Sequence, residues 1–283
     1  GIDAGTQGVR CAVVNERGEV IAAKSAPFET LNVANVAEYC EQSPEDWARA
    51  AETAIVGCVR ALREKGLSAD RIRAISIDGT SGTIVPLDAN FAPLMNGIMY
   101  NDPRAKKEAA IVHAAMNAHE KKLGLRFGAS FSLSRILYLM RNEPEIYEKT
   151  RVFAHQADYI AGLLTGEFSV SDDSNALKTG FDPIARRWGE GIEKLGIDLK
   201  KLPFVVRSGE AFARVNASAA ARFGLSEGTP VVGGATDGTA SAIAAGAVRV
   251  GSWASIIGTT FVLKGVTREL VIDPNGSSYS HRL

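Results

Sequence analysis

The first 23 residues, GIDAGTQGVRCAVVNERGEVIAA, constrain the fold most, because they alternate short apolar segments with glycine-containing turns. Residues 9–14 and 19–23 are rich in Val, Ile and Ala, and the Gly-containing segment 15–18 between them predicts a β-hairpin. Together with Ile2, these segments predict three antiparallel strands. Asp3 stands at the end of the first apolar segment, so a buried strand would deliver its carboxylate into a cleft.

Helices are predicted at several places further along the chain. Ser43-Pro44-Glu45-Asp46 is a strong helix start, with a hydroxyl at the N-cap, proline in the first turn and acidic residues after it. This helix should end near Gly66 and carry four residues inward: Trp47, Ala51, Ile55 and Val59. Helical periodicity also marks residues 103–121, 132–149 and 155–166.

Strands are predicted between these helices, at residues 71–78 and 83–88. Residues 171–183 should have little regular structure. Residues 229–248 read as a strand, a Gly-rich turn and a small-residue helix, and residues 251–266 as strand, turn and strand. Alternation of strands and helices predicts the α/β class.

The charge balance excludes some partners. Lys plus Arg and Asp plus Glu both number 32 in 283 residues, so no basic field exists to hold a nucleic acid or an anionic membrane. No apolar run is long enough for a membrane span. Cys11, Cys40 and Cys58 have no metal or disulfide spacing and read as reduced thiols of a cytoplasmic protein. We expect small-molecule ligands.

Both ends of the sequence are unusual for a complete chain. There is no initiating Met, and the last residues, SSYSHRL, resemble a strand more than a tail. We therefore expect that the chain is cut at both ends.

Gly-Thr pairs recur at predicted strand ends and turns. Such a pair exposes backbone N–H groups and adds a hydroxyl donor, which suits phosphate oxygens, although any single pair can be a simple turn. The pairs that we consider are Gly5-Thr6, Gly79-Thr80, Gly82-Thr83, Gly238-Thr239 and Gly258-Thr259.

Asp3 and Asp237 lie beside two of these Gly-Thr pairs and indicate a possible chemical function for the turns. Asp237 lies in GGATDGTASA at a predicted strand-to-helix junction, where its carboxylate could be either an N-cap or a functional group. In the functional interpretation, one carboxylate orders Mg²⁺ through water and the other accepts a proton from a hydroxyl. Phosphoryl transfer needs both groups close together, with amide donors around the transferred group.

Other nucleotide and metal motifs do not fit. GxxxxGK[ST] is absent, VVGGATDG does not match GxGxxG, and no protein-kinase signature occurs. The four histidines, which have no metal-ligand spacing and are interpreted as surface or core residues, are His113, His119, His155 and His281.

Several ordered motifs resemble the FGGY family of carbohydrate kinases. DAGTQGVR is similar to the first phosphate motif of that family, GGATDGTASA to its catalytic-aspartate segment and SWASIIGTT to its second phosphate motif. EYCEQSPEDWARA resembles its acidic Pro-Glu-x-Trp helix start, and MNGIMYNDPRA its Trp-Asn-Asp-x-Arg segment, with Tyr100 in place of Trp. The resemblance covers essentially the whole chain.

The resemblance implies a fold and a division of the chain. It implies a ribonuclease H-like domain of the actin-like ATPase superfamily, with a mixed sheet flanked by helices, followed by the start of a second such domain. Residues 1–247 would be the sugar-binding domain and residues 248–283 the beginning of the ATP-binding domain, with the remainder absent from this chain. A truncated chain of this kind should phosphorylate sugar poorly or not at all.

Site roles follow from the resemblance residue by residue. Asp237 is the expected general base and also contacts the sugar, and Asp3 is the expected catalytic partner and Mg²⁺ residue. Thr80 and Ser81 would contact the sugar, although Thr80 fits a simple turn equally well. The nucleotide phosphates would lie against Gly5, Thr6, Gln7, Arg10, Gly258, Thr259 and Thr260. Gln7 departs from the Ser or Thr that often follows Gly-Thr in this family.

The implied reaction is ATP-dependent phosphorylation of a ketopentose. The pattern resembles most the ribulokinase-like kinases of cyanobacteria and plants, on the stretches SIDGTSGT, residues 155–183 and the terminal YSHRL. Bacterial xylulokinases typically carry Gln-Met-His-Gly where residues 80–83 are Thr-Ser-Gly-Thr, so the sugar pocket should differ. D-ribulose is therefore the first expectation, with xylulose or a polyol as alternatives. A non-catalytic sugar-binding or actin-like member is the remaining alternative. ATP, Mg²⁺ and a sugar are the expected ligands, and a homodimer is left open.

Overall fold

The computed structural model describes residues 1–32, 39–257, 261–273 and 278–282. Its strands are β1 (Ile2–Gly5), β2 (Gly8–Val14), β3 (Val20–Pro27), β4 (Leu31–Asn32), β5 (Cys40–Gln42), β6 (Ile75–Gly79), β7 (Ile84–Leu87), β8 (Gly97–Ile98), β9 (Val152–His155), β10 (Val170–Asp172), β11 (Phe181–Asp182), β12 (Arg187–Trp188), β13 (Phe204–Val206), β14 (Ala211–Arg214), β15 (Pro230–Thr236), β16 (Trp253–Ile257) and β17 (Phe261–Gly265). Its helices are α1 (Pro44–Glu64), α2 (Lys106–Ala115), α3 (Asn117–Leu123), α4 (Ser132–Asn142), α5 (Pro144–Lys149), α6 (Gln156–Thr165), α7 (Asp173–Ala176), α8 (Gly191–Lys194), α9 (Ala217–Phe223) and α10 (Asp237–Ala244). Short 3-10 helices cover Ala69–Arg71, Leu177–Thr179 and Leu199–Lys201.

The largest sheet of the described residues has the strand order β14-β15-β6-β1-β2-β3. β15, β6 and β1 run parallel in its middle, and β14, β2 and β3 pair antiparallel at its two sides. The three antiparallel strands predicted at the start of the chain are confirmed. Since parallel strands end at the same edge of a sheet, β1, β6 and β15 bring their carboxyl ends together.

Gly8 explains how the first strands pack so closely. It has a φ of +153°, and a Cβ atom there would lie 2.4 Å from the carbonyl oxygen of Ala26 in β3. A residue without a side chain is needed for β3 to approach the turn between β1 and β2. The GTQG segment is therefore held tightly against the sheet.

Helix α1 packs on this sheet as its sequence predicts. Ser43 is the N-cap, and its hydroxyl accepts a hydrogen bond from the Asp46 N–H. The apolar stripe is buried and includes Trp47, which has no exposed surface. Helices α6 and α9 contact α1 and share the same core. The predicted inward residues are all confirmed.

A second sheet, with the order β4-β5-β8-β7-β9, supports a second hydrophobic core. Predicted strand 83–88 is confirmed as β7, whereas predicted strand 71–78 corresponds to β6 in the main sheet. The segment between them, residues 80–83, therefore crosses from one sheet to the other. This crossing places it at the edge where β1, β6 and β15 end.

Two long predicted helices are each divided into two. Residues 103–121 form α2 and α3, with Met116 between them, and residues 132–149 form α4 and α5. Pro144 has no N–H to continue the hydrogen-bond ladder of α4, and it begins α5 instead. The predicted helix at 155–166 is confirmed as α6, which ends at Gly166 in a left-handed conformation.

Residues 171–183 are more ordered than predicted. They contain the end of β10, all of α7, a 3-10 helix and β11. Asp172 caps α7, because its carboxylate accepts hydrogen bonds from the Ser174 N–H at 2.9 Å and the Asn175 N–H at 2.8 Å. A side chain that satisfies the first turn makes such a short helix stable, and the prediction of little regular structure was wrong.

The last part of the described chain follows the predicted order. β15 and α10 form the predicted strand and helix at 229–248, and β16 and β17 form an antiparallel hairpin within 251–266. Gly258, Thr259 and Thr260 lie outside the described residues. None of the helices in the described ranges combines the length and the apolar character that a bilayer crossing requires.

Candidate active site

Three aspartates meet at the carboxyl edge of the parallel strands. Asp3 in β1 and Asp78 in β6 are direct register partners, and Asp78 is in turn the register partner of Ala235 in β15. Asp237 follows two residues later as the first residue of α10. The structure thus brings together Asp3 and Asp237, which are 234 positions apart in the sequence.

Asp78 is the acidic residue that the sequence prediction missed. Burial, the nearby charge and hydrogen bond of Asp3, and the charge of Asp237 raise its pKa to about 8. Its Oδ1 atom is buried without a hydrogen-bond partner among the described residues. The signal for it was present, because SIDGT repeats the Ile-Asp followed by a Gly-Thr turn that surrounds Asp3.

The environment of Asp237 favours a base over a helix cap. The N-cap of α10 is Thr236, and the Asp237 Oδ1 atom accepts a hydrogen bond from the Gly238 N–H at 2.7 Å. Burial raises the pKa of Asp237, the Gly238 hydrogen bond opposes this effect, and the charge of Asp3 adds to it. A carboxylate with a raised pKa holds a transferred proton more readily.

A bulge in β15 delivers Asp237 to this position. The register between β15 and β6 shifts between Val232 and Ala235, where two glycines stand. A Cβ atom on Gly234 would lie 1.7 Å from the carbonyl oxygen of Ile77. Only glycine allows this contact, so the bulge and the close approach both depend on it.

The predicted phosphate residues at the start of the chain lie beside Asp3. Arg10 pairs with Asp3 across the β1–β2 register, with 2.9 Å between its Nη1 atom and the Asp3 Oδ2 atom. Gly5 is buried, Thr6 is half-buried and Gln7 is exposed in the turn. The carbonyl oxygen of Thr6 accepts a hydrogen bond from the Gln42 side chain, which anchors the turn to β5.

Thr80 and Ser81 have different environments. Thr80 is fully buried, and its hydroxyl donates to the Gln156 Oε1 atom at 2.6 Å and lies 2.7 Å from the Thr83 hydroxyl. Because the Thr80 hydroxyl is already hydrogen-bonded within the protein, a structural role fits it better than a sugar contact. The Ser81 hydroxyl is also buried, but it has no hydrogen-bond partner in the described chain.

Two lysines near Asp237 were not predicted as site residues. Lys178 and Lys264 both interact electrostatically with Asp237, and the Lys264 ammonium donates to the Thr239 hydroxyl at 3.1 Å. No sequence motif marks either lysine. His281, which was interpreted as a surface or core residue, is half-buried beside the Ser174 hydroxyl, with 3.3 Å between its Nδ1 atom and the hydroxyl oxygen.

The donor set suits a cation that is bound through water and phosphate. In the described ranges, no three His, Cys, Asp or Glu side chains are grouped so as to hold a metal ion by themselves. Mg²⁺ commonly keeps several waters and uses one or two carboxylates together with substrate phosphates. The unpartnered Oδ1 atom of Asp78, next to Asp3, is compatible with that mode of binding.

The strand order β3-β2-β1-β6-β15 and the carboxylates at the strand ends define a ribonuclease H-like domain of the actin-like ATPase class. Residues 1–244 match the model of the N-terminal domain of the FGGY family of carbohydrate kinases, and the chain belongs to this family. The predicted fold class is therefore confirmed.

Individual relatives agree with this assignment. The chain is 30% identical over 279 residues to a xylulose kinase of Bacillus subtilis, covering 98% of this chain and 55% of the relative. It is 31% identical over 283 residues to an autoinducer-2 kinase of Yersinia pestis, covering 97% of this chain and 52% of the relative. The crystal structure of a xylulose kinase from Rhodospirillum rubrum has a TM-score of 0.88 at 28% identity, covering 97% of this chain and 56% of that chain. The chain thus spans about half the length of the curated relatives that it matches.

Proposed function

We propose that the protein containing this chain transfers the γ-phosphate of ATP to a hydroxyl group of a ketopentose. The observation that carries the proposal is the convergence of Asp3, Asp78 and Asp237 at one sheet edge, in a chain of the FGGY family. These carboxylates supply what phosphoryl transfer to a sugar needs, namely a base for the hydroxyl and a place for a cation that accompanies the phosphates.

The identity of the sugar rests on two opposing arguments. Several relatives are named xylulose kinases, which favours D-xylulose. The resemblance of SIDGTSGT, residues 155–183 and YSHRL to ribulokinase-like kinases favours D-ribulose, and the named relatives do not support that finer expectation. We therefore place D-xylulose first and D-ribulose second. The autoinducer-2 kinase relative and the polyol alternative define two further substrates to test.

Asp237 is the proposed general base. Its Oδ1 atom already accepts the Gly238 N–H, so Oδ2 is available to receive the proton. As the sugar hydroxyl oxygen forms its bond to the γ-phosphorus, the bond from that phosphorus to the β,γ-bridging oxygen breaks, ADP leaves, and the hydroxyl proton passes to Asp237. A positioned base of this kind contributes about 10²- to 10⁴-fold to the rate.

The remaining residues would position the phosphates. Backbone N–H groups of the turn at Gly5, Thr6 and Gln7 can donate to phosphate oxygens, and Arg10 can exchange its pairing with Asp3 for a phosphate. Asp3 and Asp78 would hold Mg²⁺ through oxygen atoms and water. When bound, Mg²⁺ supplies charge neutralisation for the phosphates. Gly258, Thr259 and Thr260 keep their predicted phosphate role as part of this proposal.

We also propose that residues 248–283 begin a second domain, as the sequence predicted. Within the described residues, β16 and β17 pair with each other and with no strand of the main sheet, which supports a boundary close to residue 247. The nucleotide would then bind between the two domains, and the complete protein would be needed for turnover.

The test is an ADP-release assay with the full-length protein and four acceptors: D-xylulose, D-ribulose, a pentitol and autoinducer-2. We expect Mg²⁺-dependent turnover with a ketopentose and a loss of about 10²- to 10⁴-fold in kcat for Asp237→Asn. Asp46→Asn, which changes a half-exposed aspartate in α1, is the matched control and should retain activity. Sugar binding without ADP release by the wild type would instead support the non-catalytic alternative.

A further inference from the structure

Lys178 is a buried cation with unused hydrogen-bonding capacity. It lies in the 3-10 helix Leu177–Thr179, and only 9% of its surface is exposed. Its Nζ atom donates one hydrogen bond, to the carbonyl oxygen of Ser81 at 3.3 Å. No carboxylate of the described residues lies within ion-pair distance of it. An ammonium group has three donors, so two of them lack a protein acceptor in the described part of the chain.

The surrounding residues hold this side chain in place. The Nζ atom lies 5.4 Å from the ring centre of Phe131 and 6.0 Å from that of Tyr279. Gly82 has a φ of +94°, and a Cβ atom there would lie 3.3 Å from the Lys178 Cδ atom and 2.5 Å from the Ser130 carbonyl oxygen. The turn after β6 is therefore shaped around the lysine.

The same turn holds a second polar atom without a partner. The Ser81 hydroxyl is buried and makes no hydrogen bond with any described residue, while the carbonyl group of Ser81 is the acceptor for Lys178. Burying polar groups without partners is unfavourable, and an apolar side chain would fill this space at lower cost. Two such groups side by side indicate a place that a polar ligand completes.

The charges around Lys178 place that ligand beside the base. Asp237 attracts the ammonium group, and Arg135 and Lys264 repel it. Burial lowers the pKa of Lys178 to about 8, so the side chain is mostly protonated at neutral pH. A cation close to Asp237 but not paired with it can donate to an oxygen atom of a molecule that also contacts Asp237.

We propose that Lys178 is a specificity-determining residue that donates a hydrogen bond to a hydroxyl or carbonyl oxygen of the acceptor sugar, with the Ser81 hydroxyl completing the same subsite. This inference rests on the proposed function, because it assigns a subsite to the acceptor of that reaction. It extends the sequence prediction for Ser81 to a residue that no motif indicated. The subsite holds an oxygen other than the one that is phosphorylated, so it affects sugar binding more than the chemical step.

The principal test is Lys178→Met in the full-length protein. Methionine keeps the length and the packing against Phe131 but removes the donors. We expect KM for the preferred ketopentose to rise about 10- to 100-fold, since a hydrogen bond from a charged donor is lost, while kcat and KM for ATP change less than about 3-fold. Lys194→Met, which changes an exposed lysine in α8, is the matched control and should leave all three constants unchanged.

A second variant separates sugar binding from folding. The Ser81 hydroxyl has no hydrogen-bond partner among the described residues, so Ser81→Ala should keep the melting temperature and raise KM for the sugar about 3- to 10-fold. Monodeoxy ketopentoses identify the sugar oxygen that Lys178 contacts. The analogue without that oxygen should bind the wild type weakly, and Lys178→Met should not reduce its affinity further.

The outcomes distinguish this inference from the proposed function. Turnover by the wild type with unchanged sugar KM in both Lys178→Met and Ser81→Ala would overturn the subsite and leave the kinase intact. A wild type that phosphorylates no ketopentose would overturn the proposed function. Calorimetric titration of the same sugars would then test Lys178 directly, and equal affinities in wild type and variant would overturn its role.

Discussion

Asp3 and Asp78 are direct partners in the parallel register of β1 and β6, so two carboxyl groups lie side by side at the edge of the sheet. Both carboxyl groups also interact electrostatically with Asp237, the first residue of α10. Neighbouring carboxylates that are both ionised destabilise the folded chain unless a proton or a cation lies between them. The proposed cation and phosphate site would therefore come at a cost in the stability of the folded chain.

The first prediction concerns Asp78→Asn. With a pKa of about 8, the Asp78 carboxyl must take up a proton on folding at neutral pH, which costs free energy that an amide does not incur. Without ligands we therefore expect the free energy of unfolding to increase by about 1–2 kcal/mol. The same variant should lose at least about 10-fold in kcat/KM, because one cation-binding oxygen is replaced. Urea unfolding and the ADP-release assay measure the two effects.

Asp88→Asn is the contrasting variant for this prediction. The Asp88 carboxylate accepts the N–H groups of Asn90 and Ala92 at 2.8 and 2.9 Å in a surface turn. Its substitution should lower stability slightly and leave activity unchanged. If Asp78→Asn were destabilised to the same degree as Asp88→Asn, the repulsion between the clustered carboxylates would be refuted.

The second prediction concerns Gly234→Ala. Its Cβ atom would meet the Ile77 carbonyl oxygen at 1.7 Å, so β15 would have to move away from β6. We expect a loss of about 3 kcal/mol or more in the free energy of unfolding, since backbone is much less able to shift than a side chain. Gly128→Ala, where a Cβ would meet nothing within 4 Å, should change stability by less than about 0.5 kcal/mol. Similar unfolding midpoints for both variants would argue against a required close approach.

The third prediction decides between two roles for Thr80. Thr80→Val removes a buried hydroxyl that bonds Gln156 and Thr83, so we expect a loss of about 1–3 kcal/mol in stability. The sugar KM should change less than about 2-fold, because the hydroxyl is used inside the protein. Thr80→Ser keeps the hydroxyl and should restore most of the stability. A large rise in sugar KM for Thr80→Val, with little loss of stability, would instead support the direct sugar contact predicted from the sequence.

Local patterns predicted much of the fold and part of the site. Asp3 and Asp237 could be found because each precedes a glycine turn at the end of an apolar strand, and Ser43 and Pro44 mark the start of α1 without any tertiary information. The division at Pro144 was also visible in the sequence, but helical periodicity on both sides of it led to one predicted helix.

Other features depend on contacts between distant segments. The pairing of Asp3 with Asp78 is set by the order of β1 and β6 in the sheet, which no local pattern specifies. Lys178 lies in a stretch without periodicity, and its burial results from Phe131, Gly82 and Tyr279 surrounding it. A lysine is usually exposed, so the sequence alone gives no reason to place this one beside Asp237, the proposed base.

The last prediction is a pH dependence of sugar binding. Lys178 loses its proton near pH 8, and a neutral amine is a weaker donor than an ammonium group. Raising the pH through that value should therefore increase KM for the sugar, whereas below about pH 7 KM should be constant. The charged and titratable groups around Lys178 are Asp237, Arg135, Lys264, Tyr279 and His281.

Asp78 also has a pKa of about 8, so the wild-type profile alone cannot assign the effect. The profile of Lys178→Met makes the assignment. If the lysine is responsible, the variant has a high KM at every pH, with no further rise between pH 7 and 9. If the same rise persists in Lys178→Met, deprotonation of Asp78 or another group causes it, and the lysine does not act through its charge. Burial raises the pKa of Asp237 above its ordinary carboxyl value, so protonation of this proposed base as the pH falls should lower kcat, whereas the lysine effect raises KM as the pH rises.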